Sequence, residues 1–379
     1  MTRPPGAAPS RHVLVELDQI EALAPAWRSL ARTSARTPFE SPDWLLPWWR
    51  HYGTGAEPVV VTWWADDDLV GVAPLRRSHA RASGLPVCEL SFWGAPVRPA
   101  IPLRGWVDVL ALEPHRSAVM ADFARWLARD ARPWDLLHYL RLPAGSTMTA
   151  VFAGARAWAH VSLTGVVDSV EYVLPLPSDT TGWHGALGSK AQHNVRTAIR
   201  GFERRHGGTF DLTADPRTAS ELVGALHGLM TVRWGPTEAY FRRDPAFGSF
   251  AADAVRAMFE AGAGYAVVAR DHGGIRACLI TLVLNGTAVA ILIGVTNTPE
   301  YRSLSLGKSL FYLAIDEAVA RGAHEFNFLA AGEYKEAFWK AEPRTLASGL
   351  FGRGPVGRAV AASDTLRRRG WRALLPARR

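Results

Sequence analysis

Apolar residues alternate with polar ones at a period of two in some stretches of this chain and recur every three to four residues in others. The first period is typical of β-strands and the second of α-helices. In the first half the pattern predicts a strand, two helices, four strands, a helix and a final strand. These elements are Val13–Leu17, Asp18 to about Arg32, a helix that begins at Pro42 with Ser41 as its N-cap, Pro58–Trp64, Leu69–Leu75, Val87–Trp93, Trp106–Leu112, Pro114–Arg129 and Trp134–Leu140.

The second half repeats this order from about Val161. Its predicted elements are an extended Glu171–Leu176, helices at Trp183–His206, Pro216–Arg233 and Pro245–Ala261, strands at Tyr265–Arg270, Ile275–Leu284 and Thr287–Val295, a helix at Leu306–Arg321, a strand at His324–Leu329 and a helix at Glu333–Lys340. The Asn285-Gly286 pair between two apolar runs predicts a tight hairpin. We therefore predict an α/β (or α+β) fold built by tandem duplication, with mixed, mainly antiparallel sheets flanked by helices.

Length and composition fit two such halves. The chain has 379 residues, of which 48% are hydrophobic and 21% charged, which suits two packed domains. We expect a disordered leader at 1–10, domains at 11–160 and 161–351, and a basic tail at 352–379. No apolar stretch is long enough to cross a membrane, and the first ten residues lack the apolar segment of a signal peptide, so we expect a cytoplasmic protein. Cys88 and Cys278 are the only cysteines and the histidines show no ligand spacing, so we expect neither a disulfide framework nor a metal site.

The basic charge is concentrated at the C-terminal end. Residues 352–379 contain eight arginines and one aspartate, and so carry +7 of the formal net charge of +8. The remaining 351 residues carry +1, which argues against nucleic acid as a partner. Leucines and a tryptophan among these arginines predict an amphipathic segment that touches an anionic membrane surface or polymer. A solvated extension is the alternative.

Eleven of the fifteen tryptophans lie before residue 165. They predict either a tryptophan-rich core or an aromatic groove for a flat ligand.

The most informative stretch runs from Leu292–Asn297 to Arg302–Leu310, where a strand leads through a polar loop into a helix. The start of such a helix presents unpaired backbone N–H groups and suits a phosphate or pyrophosphate. Gly307 would let the backbone approach the ligand closely. Further donors in the same stretch are Arg302, Ser303, Ser305, Lys308 and Ser309.

Three kinds of site share features with this stretch. Gly307-Lys308-Ser309 matches the end of a P-loop, but Arg302 stands where the first glycine belongs. Ser303-x-Ser305-x-Gly307 approaches the nucleophile elbow, but Ser303 replaces its first glycine and no convincing downstream Asp and His pair follows. The third kind is the acyl-CoA-binding half of an acetyltransferase, in which strand, loop, helix, strand and short helix follow one another.

The sequences of four segments resemble those of the CelD/BcsL family of GNAT-like acetyltransferases. The resemblance extends over about residues 39–340. The segments are Phe39–Trp49, with the family's Ser-x-x-Trp helix; Leu69–Leu75, a strand ending in Pro-Leu; Ser189–Arg196, with Ser-Lys-x-x-x-Asn-x-Arg; and Ser305-Leu-Gly307 followed by Phe328–Lys335 and Trp339. Leu306 departs from the family's Ser-Pro-Gly. More distantly, tandem blocks of this kind resemble the Fem-type aminoacyl-tRNA-dependent transferases.

The resemblance implies an acyl-CoA co-substrate, most simply acetyl-CoA, held at the loop. Its predicted contacts are Val295, Arg302, Ser305, Leu306, Gly307, Lys308 and Ser309. It also implies direct attack of an amine or hydroxyl on the thioester, which needs a base for the nucleophile and an acid for the leaving thiolate.

The resemblance places the acid at Tyr334, whose alternative role is packing. Glu333 is the nearest candidate base, although a glutamate at a helix start also favours the helix dipole. Asp108 lies within an apolar stretch, and such a carboxylate has either a raised pKa and a role as base or a solvated place at a strand end.

An anionic-substrate patch is predicted at Lys190, Asn194 and Arg196, with a solvated basic face as the alternative. A further predicted contact, to substrate or to a CoA phosphate, is Lys335, whose alternative is a solvated lysine. The first hypothesis is therefore an acetyl-CoA-dependent N- or O-acetyltransferase that modifies a sugar-like, cell-envelope or exopolysaccharide acceptor. The second is a Fem-like transferase that uses aminoacyl-tRNA. The third is a catalytically inactive scaffold with this fold.

Overall fold

The computed structural model describes residues 8–82, 84–95, 106–143, 146, 148, 161–234, 244–329 and 334–363; for 161–168, 233–234 and 334–336 it describes the backbone. The strands are β1 Ser10–Leu14, β2 Ala56–Ala65, β3 Asp68–Ala82, β4 Leu85–Phe92, β5 Leu110–Ala111, β6 Leu136–Pro143, β7 Val161–Pro175, β8 Thr209–Thr213, β9 Gly264–Asp271, β10 Gly274–Leu284, β11 Thr287–Val295, β12 Glu325–Asn327 and β13 Glu342–Arg353. The helices are α1 Leu17–Ala22, α2 Ala24–Ser34, α3 Pro42–Tyr52, α4 Arg116–Arg125, α5 Thr180–Leu187, α6 Ser189–His206, α7 Ala219–Trp234, α8 Ala246–Glu260, α9 Pro299–Arg302, α10 Leu306–Ala320, α11 Tyr334–Trp339 and α12 354–363. Short 3₁₀ turns lie at Pro38–Glu40 and Pro216–Thr218, and a π-helical turn at Trp126–Asp130.

The described strands form one sheet in the order β1-β2-β3-β4-β6-β13-β7-β12-β11-β10-β9-β8, with β5 beside β3. Each half contributes an edge strand, an antiparallel meander and one parallel pair, β4 with β6 and β11 with β12. The predicted α/β fold with a mixed, mainly antiparallel sheet and flanking helices is therefore confirmed. The two halves share a single sheet because β13, the last strand, pairs with β6 on one side and with β7 on the other.

Local signals placed most elements correctly. Ser41 caps α3 by accepting a hydrogen bond from the Asp43 N–H at 3.2 Å, and Asn285 and Gly286 both adopt positive φ in the β10–β11 hairpin. The predicted strand Trp106–Leu112 is shorter, since only Leu110–Ala111 pairs with β3.

Two predicted helices are each divided in the structure. The helix predicted from Asp18 to about Arg32 is α1 and α2, which Leu23 separates. The helix expected over Trp183–His206 is interrupted at Gly188, whose φ of +87° ends α5 and precedes α6. Glycine tolerates this conformation, and a helix cannot continue through it.

Two apolar clusters cover the two faces of the C-terminal part of the sheet. In β10, Cys278 and Ile280 pack in the larger cluster with α7, α8 and the first half, while Ala277 and Leu279 pack in the other cluster with α5, α6 and α10. The alternation follows from the two-residue period of a strand. Nine tryptophans of the first half are buried, so they form core: Trp27, Trp44, Trp48, Trp49, Trp63, Trp93, Trp106, Trp126 and Trp134. Among the described residues, no helix is both long and apolar enough to span a membrane.

The folded structure continues past residue 351. Gly352 and Arg353 belong to β13, and α12 packs Val360 and Ala361 against Val87, Leu136 and Leu350. Gly357 in this helix lies so close to Asp135 that an added Cβ would clash with the Asp135 carbonyl oxygen.

We therefore expect two truncations to differ. Ending the chain after residue 363 should leave the free energy of unfolding unchanged, while ending it after 351 should lower that energy by about 2–3 kcal/mol, since the burial of Val360 is lost and its apolar neighbours are exposed. Urea denaturation of both truncations beside the full chain measures the difference. Equal stability of the two would contradict the role given to α12.

Candidate active site

Strands β11 and β12 separate part-way along the sheet. They pair only over Thr287–Val289, opposite Glu325–Asn327. Beyond that point the chain after β12 stays beside β7, where the Phe328 N–H donates to the Tyr172 carbonyl at 2.9 Å and the Tyr172 N–H to the Leu329 carbonyl at 3.2 Å. The rest of β11 stays with β10. A wedge therefore opens between the two parallel strands.

A β-bulge lies where the strands part. Leu292 pairs with Ile280 and Ala290 pairs with Thr281, so Ile291 is an extra residue in β11. Because a bulge turns backbone groups away from the regular ladder, it can direct a peptide N–H of β11 toward a ligand in the wedge.

The loop that follows β11 ends at an open helix terminus. Ser305 adopts the left-handed conformation, with φ 48°, and its carbonyl accepts hydrogen bonds from the N–H groups of Lys308 and Ser309 at 2.8 and 3.2 Å. Among the described residues, no acceptor is found for the N–H groups of Leu306 and Gly307. These donors at the positive end of the 15-residue helix α10 suit a phosphate.

Gly307 is accommodated without strain. Its φ is not positive, and an added Cβ would meet only the Val295 side chain, at 3.5 Å, an ordinary contact. The surrounding protein therefore does not require glycine at this position. Because glycine disfavours a helix, its presence needs another reason. A ligand that approaches the backbone closely would require it.

A partly buried ion pair anchors the loop to the β9–β10 hairpin. The Tyr301 hydroxyl donates to Asp271 at 2.7 Å, and Arg276 donates to the same carboxylate at 2.9 and 3.0 Å. Burial raises the pKa of Asp271, but the bonds from Arg276, Tyr301 and the Gly273 N–H outweigh it and lower the pKa to about 2. Since this pKa lies below the ordinary 3.8, the carboxylate stabilises the fold above about pH 4, and the contribution is lost as the pH falls through 2.

The predicted donor contacts are not all equally accessible. Ser305 and Lys308 are exposed. Arg302 is exposed too and donates from Nε to the Asn297 carbonyl at 3.3 Å. Leu306 and Ser309 are buried, and the Ser309 hydroxyl has no hydrogen-bond partner in the described structure. Leu306 thus anchors the helix through its side chain while its N–H, which a proline would lack, remains available as a donor.

An open pocket of about 460 Å³ lies at the break between α5 and α6. Its lining is Leu187, Gly188, Ser189, Lys190, Ala191, Asn194 and Phe338. The Lys308 ammonium lies 4.1 Å from the centroid of the Phe338 ring, a cation–π contact that connects this pocket to the start of α10. The predicted substrate residues Lys190 and Asn194 are thereby brought together.

Arg196 does not line this pocket; its side chain is exposed and also contacts a polar network between helices. Its Nε donates to the Tyr312 hydroxyl at 3.3 Å. That hydroxyl lies 3.0 Å from His184 Nε2, which is 2.7 Å from Asp316 Oδ1. Trp183 donates to the same Asp316 oxygen at 2.8 Å. Sequence reasoning missed this network and Phe338, since the residues lie far apart in the chain and no motif marks them.

Asp108 is buried in the first half beside a second acid. Its Oδ1 accepts hydrogen bonds from the N–H groups of Val109 and Met148 at 2.7 and 3.0 Å, and its own N–H donates to Glu40 at 3.1 Å. Burial, together with the Asp108 charge, raises the pKa of Glu40 to about 8. Sequence reasoning identified Asp108 as a buried carboxylate but missed Glu40.

Tyr334, one of the two remaining proton-transfer candidates, lies at the start of α11. Tyr334 is the first residue of that helix and Lys335 the second; their backbone positions are described and their side chains are not. Glu333 lies outside the described residues. Within the described ranges, no group of three or more His, Cys, Asp or Glu side chains could hold a metal ion.

A family model matches the part of the chain that contains the wedge and the start of α10. Residues 189–340, less than half of the chain, match the family model described as an acetyltransferase (GNAT) domain. No curated protein matches the chain in sequence.

Solved structures share the fold across both halves. The crystal structure of FemX is similar with a TM-score of 0.58 and 10% identity, over 89% of this chain and 96% of that one. A conserved protein of unknown function from Bacteroides thetaiotaomicron has a TM-score of 0.50 at 10% identity, over 88% and 97%. The C-terminal domain of a protein described as a lysylphosphatidylglycerol synthetase from Agrobacterium fabrum has a TM-score of 0.50 at 11% identity, over 91% and 96%. At these identities the similarity shows the fold alone. Residues 189–340 are thus similar to a GNAT acetyltransferase domain, and this match supports the assignment of the chain as an acyltransferase.

Proposed function

We infer that this protein is an acetyl-CoA-dependent N- or O-acetyltransferase of the CelD/BcsL type, acting on a sugar-like acceptor of the cell envelope or an exopolysaccharide. The observation that carries the proposal is the pair of N–H groups at Leu306 and Gly307, which have no acceptor among the described residues and lie beyond the end of β11, the strand that forms one side of the wedge. A pyrophosphate at the helix start and a thioester in the wedge would use both features.

The residues fit this donor chemically. The exposed cations Arg302 and Lys308 flank the helix start and would neutralise phosphate charge. The bulge at Ile291 would offer a backbone donor to the carbonyl oxygen of the acyl group. Transfer then forms a bond between the acyl carbon and the acceptor nitrogen or oxygen and breaks the bond to sulfur, which leaves a thiolate that needs a proton.

We assign that proton to Tyr334 and the removal of the acceptor proton to Glu333. Tyr334 opens α11, the short helix that follows β12 in the chain, and β12 forms the other side of the wedge. Asp108 is the second candidate for the base, and its burial beside Glu40 favours a structural role instead. Lys190, Asn194 and Lys335 are the proposed acceptor contacts. Arg196 would support them indirectly, through Tyr312.

Calorimetric titration with acetyl-CoA tests the proposal directly. We expect binding with a dissociation constant in the micromolar range, and no binding at high micromolar ligand would overturn it. The similarity to FemX favours a Fem-like use of aminoacyl-tRNA as the second candidate. Under that alternative, acetyl-CoA would not bind and an aminoacyl-tRNA would.

Replacing Tyr334 by phenylalanine is expected to lower kcat by about a hundredfold while acetyl-CoA affinity stays unchanged, since only the acidic proton is removed. Steady-state kinetics with a thiol-detecting reagent and calorimetry measure the two effects. An unchanged kcat in this variant and in Glu333→Gln would refute both assignments. If strains that carry these variants also showed the same phenotype as the unmodified strain, the inactive-scaffold hypothesis would be favoured.

A further inference from the structure

Helix α6 presents an array of cations that have no ionic partner among the described residues. It carries five basic side chains and one acid, Glu203. The five are Lys190, Arg196, Arg200, Arg204 and Arg205, all exposed, and none forms an ion pair with a described residue. Elsewhere many arginines are paired; Arg11, Arg28 and Arg77 approach carboxylates at 2.6 to 3.0 Å.

The cations are arranged along the helix. Arg196, Arg200 and Arg204 are four residues apart, so they lie on neighbouring turns with a rise of about 6 Å between them. Like charges at this spacing destabilise an isolated helix. A bound anion carrying several charges would relieve the repulsion.

The array connects the pocket to the proposed donor loop. Lys190 lines the pocket at Gly188, and Arg204 lies about 21 Å further along the axis. There the helix packs on the loop: His206 and Tyr301 have ring centroids 4.5 Å apart, and an added Cβ at Gly201 would lie 3.2 Å from Leu304. An elongated polyanion lying along α6 would therefore have one end at the pocket.

The exposed residues of α6 favour one kind of polyanion over others as the ligand. All its exposed residues are polar, so it has no apolar side chains to insert into a membrane. The His193 imidazole is its one exposed aromatic ring, whereas surfaces that bind single-stranded nucleic acid stack successive bases on several aromatic side chains. Between the cations lie His193, Asn194 and Thr197, whose side chains hydrogen-bond hydroxyl groups.

We propose that α6 is the docking surface for an acidic polysaccharide, a chain that carries a carboxylate on many of its sugars. Arginines bind the carboxylates, the interleaved polar side chains bind hydroxyls, and one sugar of the chain reaches the pocket at Gly188. The assignment of that sugar as acceptor rests on the proposed acetyltransferase function; the docking itself does not.

Binding of polygalacturonate to the full chain, measured at low salt by fluorescence anisotropy of a labelled polymer, tests the proposal. The double variant Arg200→Gln/Arg204→Gln should bind on the order of tenfold more weakly, since two exposed charge pairs are lost. The matched control Arg32→Gln/Arg129→Gln removes two exposed arginines of the first half and should bind as the unmodified chain does. Circular dichroism of each variant verifies folding.

Three results would overturn the proposal. They are absence of polygalacturonate binding at low salt, an equal loss in the control variant, and tight binding of poly(U) or of anionic vesicles without binding of polygalacturonate. Saturating acetyl-CoA should leave polygalacturonate affinity unchanged. If acetyl-CoA fails to bind while polygalacturonate binds through α6, the acetyltransferase proposal falls and the docking surface stands; the reverse result rejects only the docking surface.

Discussion

Replacing Gly307 by aspartate is expected to weaken acetyl-CoA binding by about a hundredfold or more. The carboxylate would occupy the helix start, accept the local N–H groups and repel a pyrophosphate. Loss of two charge-assisted hydrogen bonds alone is worth about 3 kcal/mol or more. The fold should not suffer, because an acid in the first turn favours the helix dipole and the position has room for a Cβ.

Calorimetry with acetyl-CoA and thermal unfolding separate the two effects. The matched control is Gly224→Asp, which makes the same substitution at an exposed position of α7 with no atom within 4 Å of the added Cβ. This control should bind acetyl-CoA normally. If Gly307→Asp also bound normally, the phosphate site would have to lie elsewhere.

Raising the pH from about 5 to 9 is expected to lower the free energy of unfolding by a few kcal/mol. Burial, and then the charge of Asp108, raises the pKa of Glu40 from 4.5 to about 8, while hydrogen bonds from the backbone of Arg36, Asp108 and Thr37 oppose the rise. The folded chain therefore keeps Glu40 protonated at pH values where the unfolded chain has released the proton. Its stabilising contribution is complete below pH 4.5 and is lost as the pH rises through 8.

The variant Asp108→Asn tests the cause. It removes the neighbouring charge, and its Oδ1 can still accept the hydrogen bonds from Val109 and Met148. We expect a smaller loss of stability between pH 5 and 9, measured by urea denaturation at each pH. Asp67→Asn, in the exposed turn before β3, is the control and should keep the full loss. A flat profile for the unmodified chain would show that Glu40 is ionised throughout.

Much of the architecture could be predicted because its signals are local. The Asn285-Gly286 hairpin requires two positive φ values, and these residue types adopt them readily. The strand, loop and helix around Gly307 were likewise recognisable from contiguous residues. The break at Gly188 was not, since a single glycine inside a helical pattern is often tolerated.

Two features of the candidate site depend on contacts between distant segments. Lys308 meets Phe338 across 30 positions of the chain, and the pocket at Gly188 has Phe338 in its wall. The loop is held by Asp271, which precedes Tyr301 by 30 residues. Neither pairing has a sequence motif, so only the folded chain reveals them.

The net charge of the sequence and the distribution of charge in the fold lead to different expectations. Outside residues 352–379 the sequence carries a net charge of +1, which suggests an electrostatically neutral body. The net charge of a sequence does not depend on which charges are paired. In the described part of the fold, many arginines are paired with acids, whereas the cations of α6 have no ionic partner.

The sequence by itself determined the order of most elements, its repetition in the two halves, and the strand, loop and helix around Gly307, because periodicity, turn residues and helix starts are properties of short segments. The tertiary structure alone decided that β13 joins the halves into one sheet, that Asp108 is buried against Glu40, and that α6 presents its cations beside the pocket. Each of these outcomes depends on which distant residues become neighbours, and that is settled by packing of the whole chain.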